Sequence, residues 1–285
     1  MSTTIASDCT FEGPGLHTGV PSRVTLYPLR GHRGIRFRFG DGDYSIAEAR
    51  RADAQRNTTI VFPNGRTVAT VEHLLSAIVG IGLDDVVVEC DAIEMPILDG
   101  SALPYAESIL RVGIEGKADA ARALCYLATP ICVDDGPATL AAIPSDVLRV
   151  SYAIDYPGTP IGTEMKDFTL TRETFLEEIA PARTFALLSE VEALRGAGLA
   201  TGGSLDNALI VGDDGPVGNK ALRVEREYAA HKILDLMGDL ALLGTLPIAH
   251  YICIKGGHRL HYKLVNRIRG IGVSPREPEG GRLSG

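Results

Sequence analysis

The chain has 285 residues, 45% of them hydrophobic and 22% charged, with a formal net charge of -8. These values describe a globular protein of two average domains, and no apolar run reaches the roughly 18 residues of a membrane span. The acidic balance argues against a nucleic-acid binder, whose affinity rests on basic patches, so an anionic substrate needs a local cluster of lysines and arginines.

Five cysteines (Cys9, Cys90, Cys125, Cys132, Cys253) are odd in number and scattered without a Cys-x-x-Cys pair. Neither a disulfide framework nor a thiolate metal site is indicated, and reduced, mostly buried thiols are expected. The N-terminal stretch lacks the basic start and apolar core of a secretory signal, which leads to the expectation of a cytoplasmic protein.

In chain order, residues 1–40 alternate apolar and polar positions in Arg23-Val-Thr-Leu-Tyr27 and Gly34-Ile-Arg-Phe-Arg-Phe39, the pattern of antiparallel strands. Gly13-Pro-Gly-Leu-His17-Thr-Gly19 reads as a tight turn between strands, with His17 exposed and glycines that permit close backbone approach. Strands continue to Val71, interrupted by the hairpin signal Pro63-Asn-Gly65. A helix follows, with Thr70 as its expected N-cap, Glu72 and His73 in its first turn, and Leu74, Leu75, Ile78 and Val79 on its core face. Glu72 in that position also suits the helix dipole without any catalytic role.

Leu83–Cys90 reads as a strand, and Met95–Ser101 as a turn into a helix over Leu103–Val112. The polar segment Glu115–Arg122 reads as a linker, which divides the chain into domains at 1–119 and 120–270. The second domain has strands at Ala138–Ile143 and Leu148–Asp155, a loop over Tyr156–Gly162 and a short helix over 173–180. It continues with Arg183-Thr184-Phe185, a helix over Leu187–Arg195 and a strand over Asn207–Val211. After a long helix come the strand Ala249–Ile254, the turn Lys255-Gly-Gly-His258 and a helix over Arg259–Arg269, and the Pro- and Gly-rich 271–285 is expected to be disordered. Both halves thus carry strands, a polar-bearing helix, then one more strand and helix, a plan that places the two key helices face to face between two sheets.

The long helix, Arg226–Leu243, carries His231, Asp235 and Asp239 at i, i+4 and i+8. Steps of four residues advance about 40° around a helix, so these side chains share one stripe on an otherwise mostly apolar element. Buried ionisable groups need a charged partner or a metal, and imidazole with carboxylate suits zinc. An ordinary helical His–Asp pair is the competing explanation. Adding His73 completes the three protein ligands of a catalytic zinc. Glu72 is then the natural base for an attacking water and His258 the acid for a leaving amine. Asp239 is placed to hold His258 charged, and the Thr184 hydroxyl to donate to an oxyanion.

Gly15-Leu-His17-Thr-Gly19, Val71-Glu72-His73, Pro96-Ile-Leu-Asp99-Gly-Ser101, Arg183-Thr184-Phe185, His231-Lys232-x-x-Asp235-x-x-Gly-Asp239-Leu and Lys255-Gly-Gly-His258 occur in the order seen in the LpxC family. The chain resembles that family, zinc amidases of lipid A biosynthesis that deacetylate UDP-3-O-acyl-N-acetylglucosamine, from about Gly13 to Asn266.

The resemblance implies an α+β fold of two similar domains, each an antiparallel sheet packed with helices, forming a β-α-α-β sandwich with the active site at the domain interface. It implies Zn2+ on His73, His231 and Asp235, with Fe2+ able to fill the same donor set, Glu72 as base, His258 as acid, Asp239 as its orienting partner and Thr184 as oxyanion donor. Lys232 resembles a substrate contact, Phe185 and the insert over 186–211 the wall of a passage for the acyl chain, and Asp155-Tyr156 an acidic-aromatic pair near the uridine. The implied partner is a UDP-linked acylated amino sugar, with no nucleic acid, no membrane span and a monomeric chain.

Lys232, Lys255, Arg259 and Lys263 supply basic charge suited to a diphosphate. Two departures lie apart from the zinc and proton-transfer groups: a short segment over Arg56–Arg66, and Ala230 where an arginine often precedes the His-Lys pair. They leave open a zinc amidase of the same fold acting on another N-acetylated or acylated sugar. A catalytically silent binding protein is the reading from a different class.

Overall fold

The computed structural model describes residues 2–30, 34–52, 54, 56–116, 125–272 and 274–275. A first sheet is built from β1 (Cys9–Pro14), β2 (Pro21–Pro28), β3 (Ile35–Phe39), β4 (Gly42–Ser45) and β5 (Val86–Cys90), in the order β1-β2-β5-β3-β4. A second contains β6 (Ile131–Asp135), β7 (Ala138–Pro144), β8 (Arg149–Tyr156), β9 (Gly162–Thr169) and β10 (Ala249–Ile254), in the order β6-β7-β10-β8-β9. The strand order is the same in both.

Alternation makes these strands: in β2, Val24 and Leu26 are buried while Arg23 and Thr25 are not. Each sheet is antiparallel except for one central pair, β3 with β5 and β8 with β10, which run parallel. Parallel neighbours need a long crossover. The crossover from β3 to β5 carries helix α1 (Glu72–Gly80), and that from β8 to β10 carries α4 (Glu227–Leu240). The antiparallel sheets expected from the sequence are present, each with this one parallel pair, and β6 and β9 are strands not read from the sequence.

Helices α2 (Leu103–Val112), α3 (Leu188–Gly196) and α5 (His258–Ile271) complete the framework. The layers are sheet, helices, helices, sheet, and α1 lies directly against α4. Apart from Val79 in α1 and Lys232 in α4, every residue of these two helices is buried, as expected for helices enclosed on all sides.

Close approach of α1 and α4 depends on Gly238, where a methyl group would stand 2.2 Å from the Glu72 carbonyl oxygen. Gly238→Ala is therefore expected to destabilise the fold by about 1–3 kcal/mol through overpacking. Denaturant melts should show a lower midpoint, and activity should fall as well because the displaced backbone carries Glu72. A variant as stable as the parent would mean that the two helices can separate freely.

Several local expectations need correction. Thr70 does not cap α1: it sits at φ 56°, and its hydroxyl donates to Glu94 Oε1 at 2.8 Å, while the N-cap is Val71 without a side-chain hydrogen bond. Glu115 and Gly116 of the expected linker pair with Thr4 and Thr3, and 117–122 lie outside the described residues. Order also runs into the expected tail, since α5 reaches Ile271 and Ser274–Pro275 pairs with Cys125–Tyr126; residues 273 and 276–285 lie outside the described residues. The cysteines are free, with Cys9, Cys125 and Cys253 buried. Among the described residues no helix is long and apolar enough to cross a membrane.

Candidate active site

The first turn of α1 presents Glu72 and His73 to the polar stripe of α4. One ligand atom from each of His73, His231 and Asp235 lies within 4.8 Å of the others, and all three side chains are buried. The two imidazoles meet edge to face at 5.2 Å. His231 Nδ1 lies 3.0 Å from the Ala182 carbonyl oxygen, to which it can donate only as the Nδ1–H form, leaving Nε2 free at 3.4 Å from Asp235 Oδ1. Lys232 Nζ donates to Asp235 Oδ2 at 2.9 Å.

This donor set fits a metal ion. His73 Nδ1 is buried with no hydrogen-bond partner among the described residues. Burial, helped by His231, pushes His73 down to about 3, and burial also lowers His231, so both rings are neutral. Burial alone would raise Asp235, but Lys232 and the neighbouring histidines outweigh it and hold the carboxyl well below its usual range. Neutral imidazoles and an ionised carboxylate are the states that bind a cation.

Beside this cluster, His258 begins α5 directly after Gly256-Gly257. Its Nε2 is 3.9 Å from Glu72 Oε1 and 3.8 Å from Asp235 Oδ2, and its Nδ1 is 2.8 Å from Asp239 Oδ2. Burial opposes the imidazolium, yet Asp239 and Asp235 prevail and raise His258 to about 9. Glu72 moves up to about 8, chiefly by burial, with His258 pulling the other way. Asp239 would be raised by burial, but His258 and His261 bring it to about 2. The arrangement thus holds a buried carboxyl of raised pKa and an imidazolium on opposite sides of a small gap.

These groups open into a cavity of about 950 Å³ lined by Glu72, His73, Thr184, Phe185, His231, Lys232, Asp235 and His258, with the apolar side chains of Leu187, Val191, Leu194 and Ile210 also on its wall. The Thr184 backbone is held on both sides, its N–H donating to Gly100 and its carbonyl accepting from Leu209, each at 2.8 Å. Gly100, at φ 83°, is needed there because a Cβ would stand 2.0 Å from the Asn207 carbonyl oxygen. Phe185 packs against Tyr156 at 5.7 Å and Tyr228 at 5.1 Å, with Lys232 Nζ 5.4 Å from its ring centre. Arg56 and Glu190 form a bidentate pair at 3.0 and 2.9 Å that ties the segment before α1 to the insert helix α3.

Other sequence expectations fare differently. Tyr156 lines the cavity, but Asp155 does not, and its carboxylate pairs with Lys255 at 2.6 Å. Arg259 and Lys263 both pair with Asp135, so the expected cationic group is largely neutralised by neighbouring carboxylates. Ala230 is fully buried and does not line the cavity. His17 is buried rather than exposed, lines the cavity, and has both ring nitrogens without a partner among the described residues. The cause is Glu94, whose carboxylate accepts from the His17 and Thr18 amides at 2.9 and 2.8 Å and draws the turn inward.

Sequence reasoning missed Thr58, His261 and Tyr152. The Thr58 hydroxyl bonds to Asp239 Oδ1, and its N–H donates to Glu72 Oε2 at 3.1 Å. His261 and Tyr152 stand behind Asp239. The His258-x-x-His261 spacing, which puts two imidazoles on one helix face, was the available signal for His261.

An α+β frame with buried nitrogen and oxygen donors gathered between its two central helices is suited to a metal-dependent enzyme. Comparisons with known proteins narrow the class. The family described as UDP-3-O-acyl N-acetylglycosamine deacetylase matches residues 2–269. The chain is 41% identical over 268 residues to the UDP-3-O-acyl-N-acetylglucosamine deacetylase of Thermosynechococcus vestitus, covering 93% of each chain. It is 38% identical over 277 residues to the protein of that name in Synechocystis sp., covering 94% of this chain and 98% of the relative. With the relative so named in Leptospira biflexa it shares 38% over 269 residues, covering 93% of this chain and 88% of the relative. The chain belongs to the LpxC family of deacetylases.

Proposed function

We propose that this chain hydrolyses the acetamide of UDP-3-O-acyl-N-acetylglucosamine, releasing acetate and the free amine, with Zn2+ held by His73, His231 and Asp235. The observation that carries the reading is the pairing of these three buried donors with Glu72 and His258 across a gap of 3.9 Å at the head of one cavity. Fe2+ suits the same two nitrogens and one carboxylate. A bound dication supplies Lewis-acid polarisation of the amide carbonyl and lowers the pKa of water.

Glu72 takes the proton of the attacking water, and His258 delivers one from Nε2 to the leaving nitrogen. Asp239 keeps His258 charged and in place through Nδ1. Thr184 donates its hydroxyl to the developing oxyanion from a backbone anchored at Gly100 and Leu209. Lys232 contacts the substrate beside Asp235, and Phe185 with the 186–211 insert forms the wall along which the acyl chain lies. Tyr156 stacks toward the nucleotide, and Asp155 serves it indirectly by holding Lys255. On this reading 1–119 supplies the base and one ligand, and 120–270 supplies the remaining groups as a monomer.

The test is acetate release from the UDP-linked substrate, measured on purified protein with chelator and after zinc is restored. Turnover should vanish with chelator, return with zinc, and be absent in His73→Ala together with stoichiometric metal binding. Metal binding without acetate release would direct the search to other acylated amino sugars, with the short 56–66 segment as the first suspect.

A further inference from the structure

Helix α5 carries a second imidazole that the chemistry above leaves unused. His261 lies one turn beyond His258 and is fully buried. Its Nδ1 is 2.7 Å from Asp239 Oδ2, the same oxygen that His258 Nδ1 meets at 2.8 Å. Its Nε2 is 2.9 Å from the hydroxyl of Tyr152, a fully buried residue on β8. Gly256 leaves room for this contact, since a Cβ there would stand 3.0 Å from that hydroxyl.

The hydrogens can be placed by elimination. Burial holds His261 below the usual imidazole range, so the ring is neutral and carries one N–H. A carboxylate can only accept, which puts that hydrogen on Nδ1 and leaves Nε2 as an acceptor. Tyr152, whose hydroxyl burial keeps protonated, must then donate to Nε2. The Asp239 carboxylate is thereby clamped by three donors: Thr58 on Oδ1, and His258 and His261 together on Oδ2.

We propose that His261 is a positioning residue for the proton donor: its Nδ1–H fixes Asp239 Oδ2, which in turn fixes the ring of His258, while Tyr152, donating to Nε2, holds the His261 ring in place. The inference rests on the deacetylase reading for its kinetic consequence and on geometry alone for the hydrogen bonds. Asp239 is a buried carboxylate, and one held by one fewer donor can rotate. The imidazole it steers then loses its aim at the leaving nitrogen.

Two nearly isosteric variants separate positioning from simple space filling. An asparagine amide reaches the place of Nδ1 and a glutamine amide that of Nε2, so His261→Asn keeps the donor to Asp239 and His261→Gln forfeits it. The Gln variant of the zinc-loaded enzyme is expected to lose about 10- to 100-fold in kcat with KM and zinc content unchanged. The Asn variant should stay within about threefold of the parent. Equal losses in both, or a loss confined to KM, would overturn the proposal.

Should the Gln variant fail to fold, Tyr152→Phe carries the test. It should lower kcat by about three- to tenfold in the parent and have no further effect in the Asn variant, which has no Nε2 to be held. Additive losses would count against the proposal. Proton NMR distinguishes a failure here from a failure of the deacetylase reading. Even if the parent releases no acetate, its zinc-loaded form should show two downfield imidazole N–H signals, with that of His258 kept in the Asn variant and lost in the Gln variant. Absence of both signals in the parent would reject the hydrogen-bond assignment.

Discussion

Glu72→Ala is expected to lower kcat by about 10²- to 10⁴-fold, the range for removing a general base, while metal content and KM stay where they are. The carboxyl is not among the three clustered donors, so its loss leaves their geometry intact. Its backbone is also held by contact with Gly238, which limits collapse of α1 into the space left behind. The pH profile gives the sharper signature. Glu72 must be ionised to accept a proton, so activity falls as pH drops through its pKa, and that acidic limb should disappear in the variant. Burial, opposed by His258 and helped by Asp235 and Asp239, lifts Glu72 to about 8, and a dication beside it lowers that position.

His258→Ala is expected to show a comparable fall in kcat, with the opposite limb removed. The imidazolium is active only while protonated, so the parent loses activity as pH rises through a pKa lifted to about 9 by Asp239 and Asp235 against the opposing effect of burial. A dication lowers this value too, because it repels the imidazolium, so both limbs of the bell should lie below the positions for the metal-free chain. The two groups face each other at 3.9 Å, and their titrations are coupled. Profiles that keep both limbs in both variants would reject the assignment of base and acid.

The legible part of the site was the part encoded by helical spacing. His231, Asp235 and Asp239 at steps of four could only share a face, and an apolar surround could only mean burial. The partners of Asp239 were hidden because each comes from elsewhere: Thr58 from 181 residues upstream and His261 from the next helix. Thr70 misled because local chemistry favours a threonine cap, whereas the side chain is claimed by Glu94, 24 residues on. The same carboxylate turns His17 from an exposed turn residue into a buried cavity residue, a tertiary effect with no local trace. Strand alternation identified most of both sheets but could not reveal which neighbours run parallel, because that depends on where each crossover lands.

The shared strand order of the two sheets sets equivalent helices, α1 and α4, against each other, yet their donors differ: a Glu-His pair in the first turn of one, and a His-Asp-Asp stripe along the other. A pair of identical subunits arranged this way could never achieve that, since every substitution would appear twice and bring two bases or two acids to the axis. Joining the halves in one chain lifts this constraint. Each half can then vary alone, which allows a frame of repeated strand order to carry a buried carboxyl of raised pKa on one central helix and a His-Asp-Asp stripe on the other.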